Sequence, residues 1–288
     1  MRIASTSPKS HDGSQKFLLE MPDMALVETV YLPENTHYGI CASTQVGCNM
    51  GCLFCATGLQ RVQRSLCRAE IVGQVRAVAE AVKDRAPLHF VTLAGMGEPL
   101  SNYANSVGAL REIHEEMQVP QVSLSTIGFA EKIRQLGREC LQLRLYWSLH
   151  APTDALRRRL IPMAAHSTIG ETLDAVSAFG ERHGAANARV SYLLLGNVND
   201  GGIHLKKVCN LLRGRPVTVQ LLLWNNVPGL QFERVRDGVP ARWEDALRAD
   251  GIDAYTMASK GREISAACGQ LVTRNVADEA GLTSVRSG

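Results

Sequence analysis

Six strand-like runs alternate with helical stretches between residues 38 and 224, and that alternation limits the fold more than any other feature. The runs cover 38–45, 89–94, 121–126, 143–149, 189–195 and 217–224. They are rich in valine, leucine and aromatic residues and are bounded by glycine, asparagine or proline. Between them, 68–83, 103–116, 130–138, 169–183 and 204–213 have helical spacing, and the first sets Ile71, Val75, Val78, Ala79 and Val82 on one face. Strands alternating with helices predict an α/β fold with a parallel sheet whose strands are buried on both faces. Six units fall short of an eightfold barrel, so a partial (β/α)6 barrel or a doubly wound sheet is expected. A further run at 24–32 adds a strand ahead of the first unit, separated from it by a turn at 33–35, whereas residues 1–20 are polar and read as irregular. The expected organisation is an N-terminal extension with short strands over 1–36, a core over 37–275 and a flexible tail over 276–288.

A chain of 288 residues suits one large domain with a small appendage. Its 31 basic and 28 acidic residues give a net charge of +3, too balanced to argue for nucleic acid by itself. No apolar run is long enough for a membrane span, and residues 1–17 lack the apolar core of a secretory signal, so a cytoplasmic protein is expected. In a reducing compartment the eight cysteines are expected as thiols, and clustered ones then point to metal binding or catalysis. Active sites of such folds lie at the carboxyl ends of the strands. Gly95-Met96-Gly97-Glu98-Pro99, Ser125-Thr126, Ser148-Leu149-His150 and Asn225 all fall there.

Just after the first strand, Cys48, Cys52 and Cys55 form a C-x3-C-x2-C run, with Gly51 letting the backbone bend. Iron–sulfur clusters normally take four cysteines. A local set of three leaves one iron of a [4Fe–4S] cluster open to a ligand with adjacent amino and carboxylate groups. S-adenosylmethionine (SAM) carries both, and one-electron reduction of its sulfonium releases a 5′-deoxyadenosyl radical. A zinc knot is the alternative, but it favours four ligands, and no second Cys/His pair lies nearby.

The triplet, with Phe54 before its third cysteine, resembles the signature of the radical SAM superfamily. The segments VETVYLPE (27–34), CASTQVGCNMGCLFCATG (41–58), GMGEPL (95–100), SLSTIG (123–128), SLHAPTDALRRRLIP (148–162) and AACGQL (266–271) resemble, in order, the RlmN/Cfr family of radical SAM RNA methyltransferases. The resemblance implies a radical SAM partial barrel that methylates an adenine ring carbon, C2 or C8, of ribosomal or transfer RNA. It also implies a [4Fe–4S] cluster, SAM, and an electron donor such as flavodoxin.

Residue by residue, Cys268 resembles the cysteine that carries the methyl group. Cys41 resembles the thiol that resolves the enzyme–RNA adduct through a transient disulfide with Cys268, and Glu28 resembles the general base. Gly97, Glu98, Ser125, Ser148, Leu149, His150 and Asn225 fall where the family contacts SAM. On residue type alone, Cys268 and Cys41 also read as small core residues and Glu28 as a solvated strand residue. Cys67, Cys140 and Cys209 match no motif and are expected to be structural. The family's small N-terminal helical domain, which helps to hold RNA, has little counterpart before Ser10, and Met257 and Ala258 stand where basic residues are expected. Phosphate contacts are then expected from Arg157, Arg158, Arg159, Lys260 and Arg262, although the arginine run reads first as a solvated helix face. Two rivals remain at this point: a radical methyltransferase of a small molecule or peptide, and a non-catalytic RNA-binding relic.

Overall fold

The structure, a computed structural model, describes residues 1–273; the tail expected over 276–288 lies outside the described residues. In chain order the strands begin with β1 (Arg2–Thr6), β2 (Gln15–Glu20), β3 (Leu26–Pro33), β4 (Tyr38–Ala42), β5 (Gln45–Val46) and β6 (Arg64–Ser65). Helix and strand then alternate through α1 (Arg68–Ala81), β7 (Leu88–Leu93), α2 (Tyr103–Glu115), β8 (Gln121–Thr126), α3 (Ala130–Leu136) and β9 (Leu143–Ser148). The chain continues through α4 (Asp154–Leu160), α5 (Ile169–His183), β10 (Ala188–Leu194), α6 (Gly202–Leu212), β11 (Thr218–Leu223), α7 (Val239–Ala249) and β12 (Ala254–Thr256).

Ten strands form one sheet in the order β1-β2-β3-β4-β7-β8-β9-β10-β11-β12. The pairings among β1 to β4 are antiparallel and all those from β4 to β12 are parallel. The six expected strands, β4 and β7 to β11, form the partial barrel; antiparallel strands extend its amino edge and a short seventh parallel strand, β12, extends the other. The run expected over 38–45 breaks at Ser43, whose hydroxyl donates to Glu28 O (2.7 Å) and accepts from Met96 N (2.9 Å).

The two faces of the parallel strands differ. Val91, Leu93, Val122, Leu124, Leu145, Trp147, Val190 and Val219 are all fully buried on the outer face under the helices. Each such side chain contributes about 1.5–3 kcal/mol. Their neighbours in sequence, Thr92, Ser123, Ser125, Tyr146, Ser191 and Gln220, line a cavity inside the curve of the sheet. Ser123, Ser191 and Gln220 are buried, so the strands are covered on both faces, but the inner face is the more polar one because it surrounds a cavity.

The N-terminus is corrected as well. Residues 1–20 are not irregular but hold β1 and β2, paired from Arg2↔Glu20 to Thr6↔Phe17. Phe17 and Leu19 alternate into the core, which fixes β2, whereas β1 is exposed along its length and is held by its pairing with β2 and by the Arg2–Glu20 ion pair (2.8 Å).

Candidate active site

The inner cavity, about 390 Å³, is lined by Cys41 from β4, Cys55 from the cysteine loop and Cys268 from the C-terminal segment. Ser125 at the end of β8 and Asn225 just past β11 complete its polar wall. Five of the expected site residues thus meet in one space, drawn from positions up to 227 residues apart.

The C-terminal segment is stitched over the cysteine loop by backbone-directed hydrogen bonds. Ala56 N donates to Gly269 O (2.7 Å), Thr57 Oγ1 to Leu271 O (2.6 Å), and Gln60 Nε2 to Thr273 O (2.9 Å). Asn225 Nδ2 donates to Cys268 O (3.3 Å), and Gln270 Nε2 donates to Asn226 O (2.8 Å). Cys268 is accessible to the cavity yet ringed by protein, and burial, then the neighbouring Cys55, pushes its thiol up. Burial pushes Cys41 up to about 12, and Cys268 adds to the effect, so the two sulfurs sense each other across the cavity. Both are free thiols.

Cys48, Cys52 and Cys55 are also free, with Cys48 buried and the other two half-buried. Burial pushes Cys48 up to about 11 and Cys52 well above the usual thiol range; Cys55 adds to the effect at Cys48, and Cys55 and Cys48 add to it at Cys52. Among the described residues, no three His, Cys, Asp or Glu side chains gather closely enough for a single metal ion. A cubane is bulkier than one ion, and an all-sulfur donor set is the one iron–sulfur clusters use. The three cysteines therefore fit a cluster better than a zinc knot.

The residues expected to contact SAM divide into two groups. Ser125 and Asn225 face the cavity, and the buried Asn225 Oδ1 has no hydrogen-bond partner, as suits a polar ligand. The others sit beneath the cavity. Gly97 takes φ +99°, and a Cβ there would stand 2.8 Å from Gln45 N, so only glycine closes this turn. Glu98 is buried and accepts from Leu100 N and Ile127 N (both 2.9 Å); burial pushes its carboxyl up to about 7. Leu149 is fully buried. His150 holds φ +54°, accepts from Leu193 N through Nδ1 (3.0 Å) and meets the Phe54 ring edge-on at 5.2 Å. Burial, helped by Arg157, lowers His150 to about 3, so it is neutral with its proton on Nε2.

Glu28 is not in the main cavity. It lies at 4% exposure in a second cavity of about 530 Å³, between the N-terminal strands and the C-terminal segment. Lys16 Nζ stands 2.7 Å from one carboxylate oxygen and Val272 N donates to the other (2.8 Å). Burial outweighs both partners and raises its pKa.

The arginine run is corrected. Arg157 is neither a solvated residue nor a phosphate grip: it is 1% exposed on α4. Its Nε donates to Leu149 O (3.1 Å), and Nη2 donates to Ser148 O (3.0 Å) and Ile127 O. Nη1 is buried without a partner. Its neighbours Arg158 and Arg159 are exposed. Of the cysteines expected to be structural, Cys209 is buried, while Cys140 is exposed and Cys67 is an exposed N-cap of α1. Sequence reasoning assigned no role to Thr57 and Gln270, although they lie inside the segments 41–58 and 266–271, nor to Gln60, two residues past the first.

Fold and site define a member of the radical SAM superfamily, whose family model matches residues 42–204. Within it the chain belongs to the RlmN family and is a radical SAM methyltransferase. It is 37% identical over 270 residues to the dual-specificity RNA methyltransferase RlmN of Solidesulfovibrio magneticus, covering 91% of this chain and 76% of that protein. It is 39% identical to a probable dual-specificity RNA methyltransferase RlmN of Gloeobacter violaceus, covering 96% of this chain and 79% of that one. Among solved structures, a radical SAM methyltransferase from Sphaerobacter thermophilus is similar with a TM-score of 0.88 at 36% identity, over 93% of this chain and 80% of its own. Streptococcus suis SuiB bound to S-adenosylmethionine shares the fold alone, with a TM-score of 0.56 at 12% identity over 80% of this chain and 52% of its own. Superfamily membership implies a [4Fe–4S] cluster and SAM. No helix among the described residues is long and apolar enough to cross a membrane.

Proposed function

We propose that this chain methylates an adenine ring carbon, C2 or C8, of ribosomal or transfer RNA through a methyl group carried on Cys268, with residues 37–275 as its catalytic core. The observation that carries the reading is the meeting of Cys41, Cys268 and Cys55 in one cavity. RNA is the substrate named for the RlmN relatives.

Cys48, Cys52 and Cys55 would hold the cluster, which with SAM supplies radical chemistry at an otherwise unreactive C–H bond. Ser125 and Asn225 would bind SAM from the cavity wall, and Asn225 Oδ1 offers the buried acceptor. Gly97, Glu98, Ser148, Leu149 and His150 shape the floor under it, and Arg157 ties the ends of β8 and β9 together. Cys268 loses its thiol proton and would take the methyl group from one SAM, whose demethylated remainder leaves. It would then hold the adenine as a covalent adduct through that carbon, with one methyl hydrogen passing to the radical a second SAM would supply, the ring proton to Glu28 and the odd electron to the group held by the three cysteines. Cys41, losing its own proton, closes a disulfide with Cys268 as the sulfur–carbon bond breaks, and the electron pair left on the product carbon takes up a proton to give the methyl group. The raised pKa values suit this division, since two protonated thiols do not pair prematurely.

Glu28 takes the ring proton, and its raised pKa suits a general base. It shares the inner face of β3 with Val30 and Leu32, which line the main cavity, and its bond to Val272 ties it to the segment that carries Cys268. A shift of that segment on substrate entry frees the carboxylate toward the main cavity. Lys260 at the cavity wall is paired with Glu34 (2.6 Å), so the exposed Arg262, two residues further on, and the nearby Arg234 supply the phosphate contacts. An adenine flipped out of its stack reaches Cys268.

The test is Cys41→Ala. The variant is expected to accumulate a covalent protein–RNA species, read as a shifted band that RNase digestion removes and mass spectrometry assigns to Cys268. Normal methylated product without that species would exclude the two-cysteine route, and no methylated adenine with any RNA would favour a small-molecule substrate.

A further inference from the structure

Phe17 and Leu19 point from β2 into the core, so Lys16 and Leu18 lie on its other face, where both line the second cavity. The register sets Leu18 across from Glu28 and Lys16 across from Val30, which makes Lys16 a diagonal neighbour of Glu28 on one face of the antiparallel pair. The Lys16 backbone is held in both directions: Ser7 N donates to Lys16 O (2.8 Å), and Lys16 N donates to Ser7 Oγ (3.0 Å). Its side chain is 17% exposed and ends 2.7 Å from Glu28 Oε1, with Nζ also donating to Ser265 O (3.3 Å). A lysine this far from water needs a partner, and among the described residues Glu28 is the one carboxylate it pairs with.

The second cavity joins that pair to solvent. Glu28 is buried at one end, whereas Thr6, Pro8, Asn226, Pro228 and Ser265 on the walls are exposed. Hydroxyl, amide and charged groups are spread along a space of about 530 Å³, which suits water. On the side of the main cavity, the neighbours of Glu28 on the same strand face are Val30 and Leu32. A proton held by Glu28 therefore has a polar way out on one side and an apolar wall on the other. The charged groups that face the second cavity are Lys16 from β2, Glu28 from β3 and Glu263 from the C-terminal segment. Glu263 is already engaged by Ser10 Oγ and by His11 N (2.6 Å).

We propose that Lys16 is the positioning residue of the ring-proton step: it holds Glu28 as a carboxylate until the adenine arrives and restores that state afterwards, the proton leaving to water through the second cavity. This rests on the reading of Glu28 as the base. The ring carbon–hydrogen bond breaks, its proton joins a Glu28 oxygen, and its electron pair stays in the ring. The new oxygen–hydrogen bond then breaks toward a water of the second cavity, which hands the proton to bulk solvent, and the carboxylate returns to Lys16. Lys16 keeps its own protons throughout and acts only through Glu28. Its ammonium opposes the effect of burial on the carboxyl; without it Val272 N alone does so, and the carboxyl stays protonated to higher pH.

The experiment uses the reconstituted full chain with total RNA from cells that lack it, and reads methylated adenine formed in a single turnover across a pH series. Lys16→Met is expected to slow the reaction on the order of tenfold or more at neutral pH and to move the acid limb up by about one to three pH units. The two rates should converge at the alkaline end, where the carboxyl is ionised in both. Lys16→Arg should recover most of the loss, since a guanidinium supplies the same charge. Methyl loading of Cys268 without RNA, read by mass spectrometry, and the thermal midpoint should stay as in wild type. An acid limb in Lys16→Met at the wild-type pH overturns the proposal alone. Loss of Cys268 loading in Lys16→Met makes the residue a strut of the C-terminal segment and likewise overturns it. Glu28→Gln methylating RNA at the wild-type rate overturns the reading of Glu28, and this proposal with it.

Discussion

Arg157 shows how far one residue can depart from its composition. In a run of three arginines it reads as surface, yet it closes three carbonyls at the ends of β8 and β9 and packs 5.6 Å from the Trp147 ring. Burial lowers it only to about 10, so it stays charged at neutral pH. Arg157→Met keeps the bulk and removes the donors, leaving buried carbonyls unpaired. A loss of about 3 kcal/mol is expected from the urea-unfolding midpoint of the apoprotein. Arg157→Lys should recover only part, because one ammonium cannot span the same acceptors. His150 gives a pH signature. Its unfolded value is near 6.5 and its folded value about 3, so between these the unfolded chain binds the extra proton. The stability it contributes is full above pH 6.5 and is lost as pH falls toward 3, by about 1.4 kcal/mol per unit. Urea titrations across that range should show a shallower pH slope for His150→Asn than for wild type. Equal slopes would place the His150 proton elsewhere.

At the scale of elements, the turn after β7 decides whether the strand ends can meet. Gly97→Ala forces a Cβ into the Gln45 backbone at positive φ, and a loss of at least about 2 kcal/mol is expected, with weaker SAM binding by equilibrium dialysis. An unchanged midpoint would show that the turn relaxes freely. The six parallel strands were legible because their outer faces carry Val, Leu and Trp in runs that only a helix-covered sheet buries. β1 was illegible for the opposite reason: it buries nothing, and its partner β2 shows only Phe17 and Leu19 in alternation. α7 was missed although Val239, Trp243 and Leu247 recur every fourth residue, since its start lies in a stretch dense in glycine and charge. The inner polar face was visible as Gln121, Ser123 and Ser125 alternating with Val122 and Leu124, but a cavity rather than a packed core is a property of curvature, which no single strand encodes. For the site, residue type located the cysteine triplet. The meeting of Cys41 with Cys268 depends on a long return of the chain, and only resemblance to a family anticipated it.

For the whole molecule, RNA recognition has to be assembled from a chain with a net charge of only +3. Several surface cations are already paired, among them Lys260, which bonds to Glu34 (2.6 Å). Arg234 and Arg262 are different. They are exposed and form no salt bridge among the described residues; partial burial, then the nearby Arg262, lowers Arg234. Two like charges held together cost free energy in the free protein, and phosphates relieve that cost. RNA affinity should therefore be weak and salt-sensitive, with each phosphate contact contributing about −0.7 to the log–log slope on a single strand. Arg234→Glu with Arg262→Glu should lower both RNA affinity and RNA methylation and make the slope shallower by about 1.4, the sum of two contacts. Iron content per chain and the thermal midpoint should not change, since neither residue is buried. Filter binding across a salt series checks this directly. A slope unchanged by the double variant would move the RNA contacts away from this rim of the cavity.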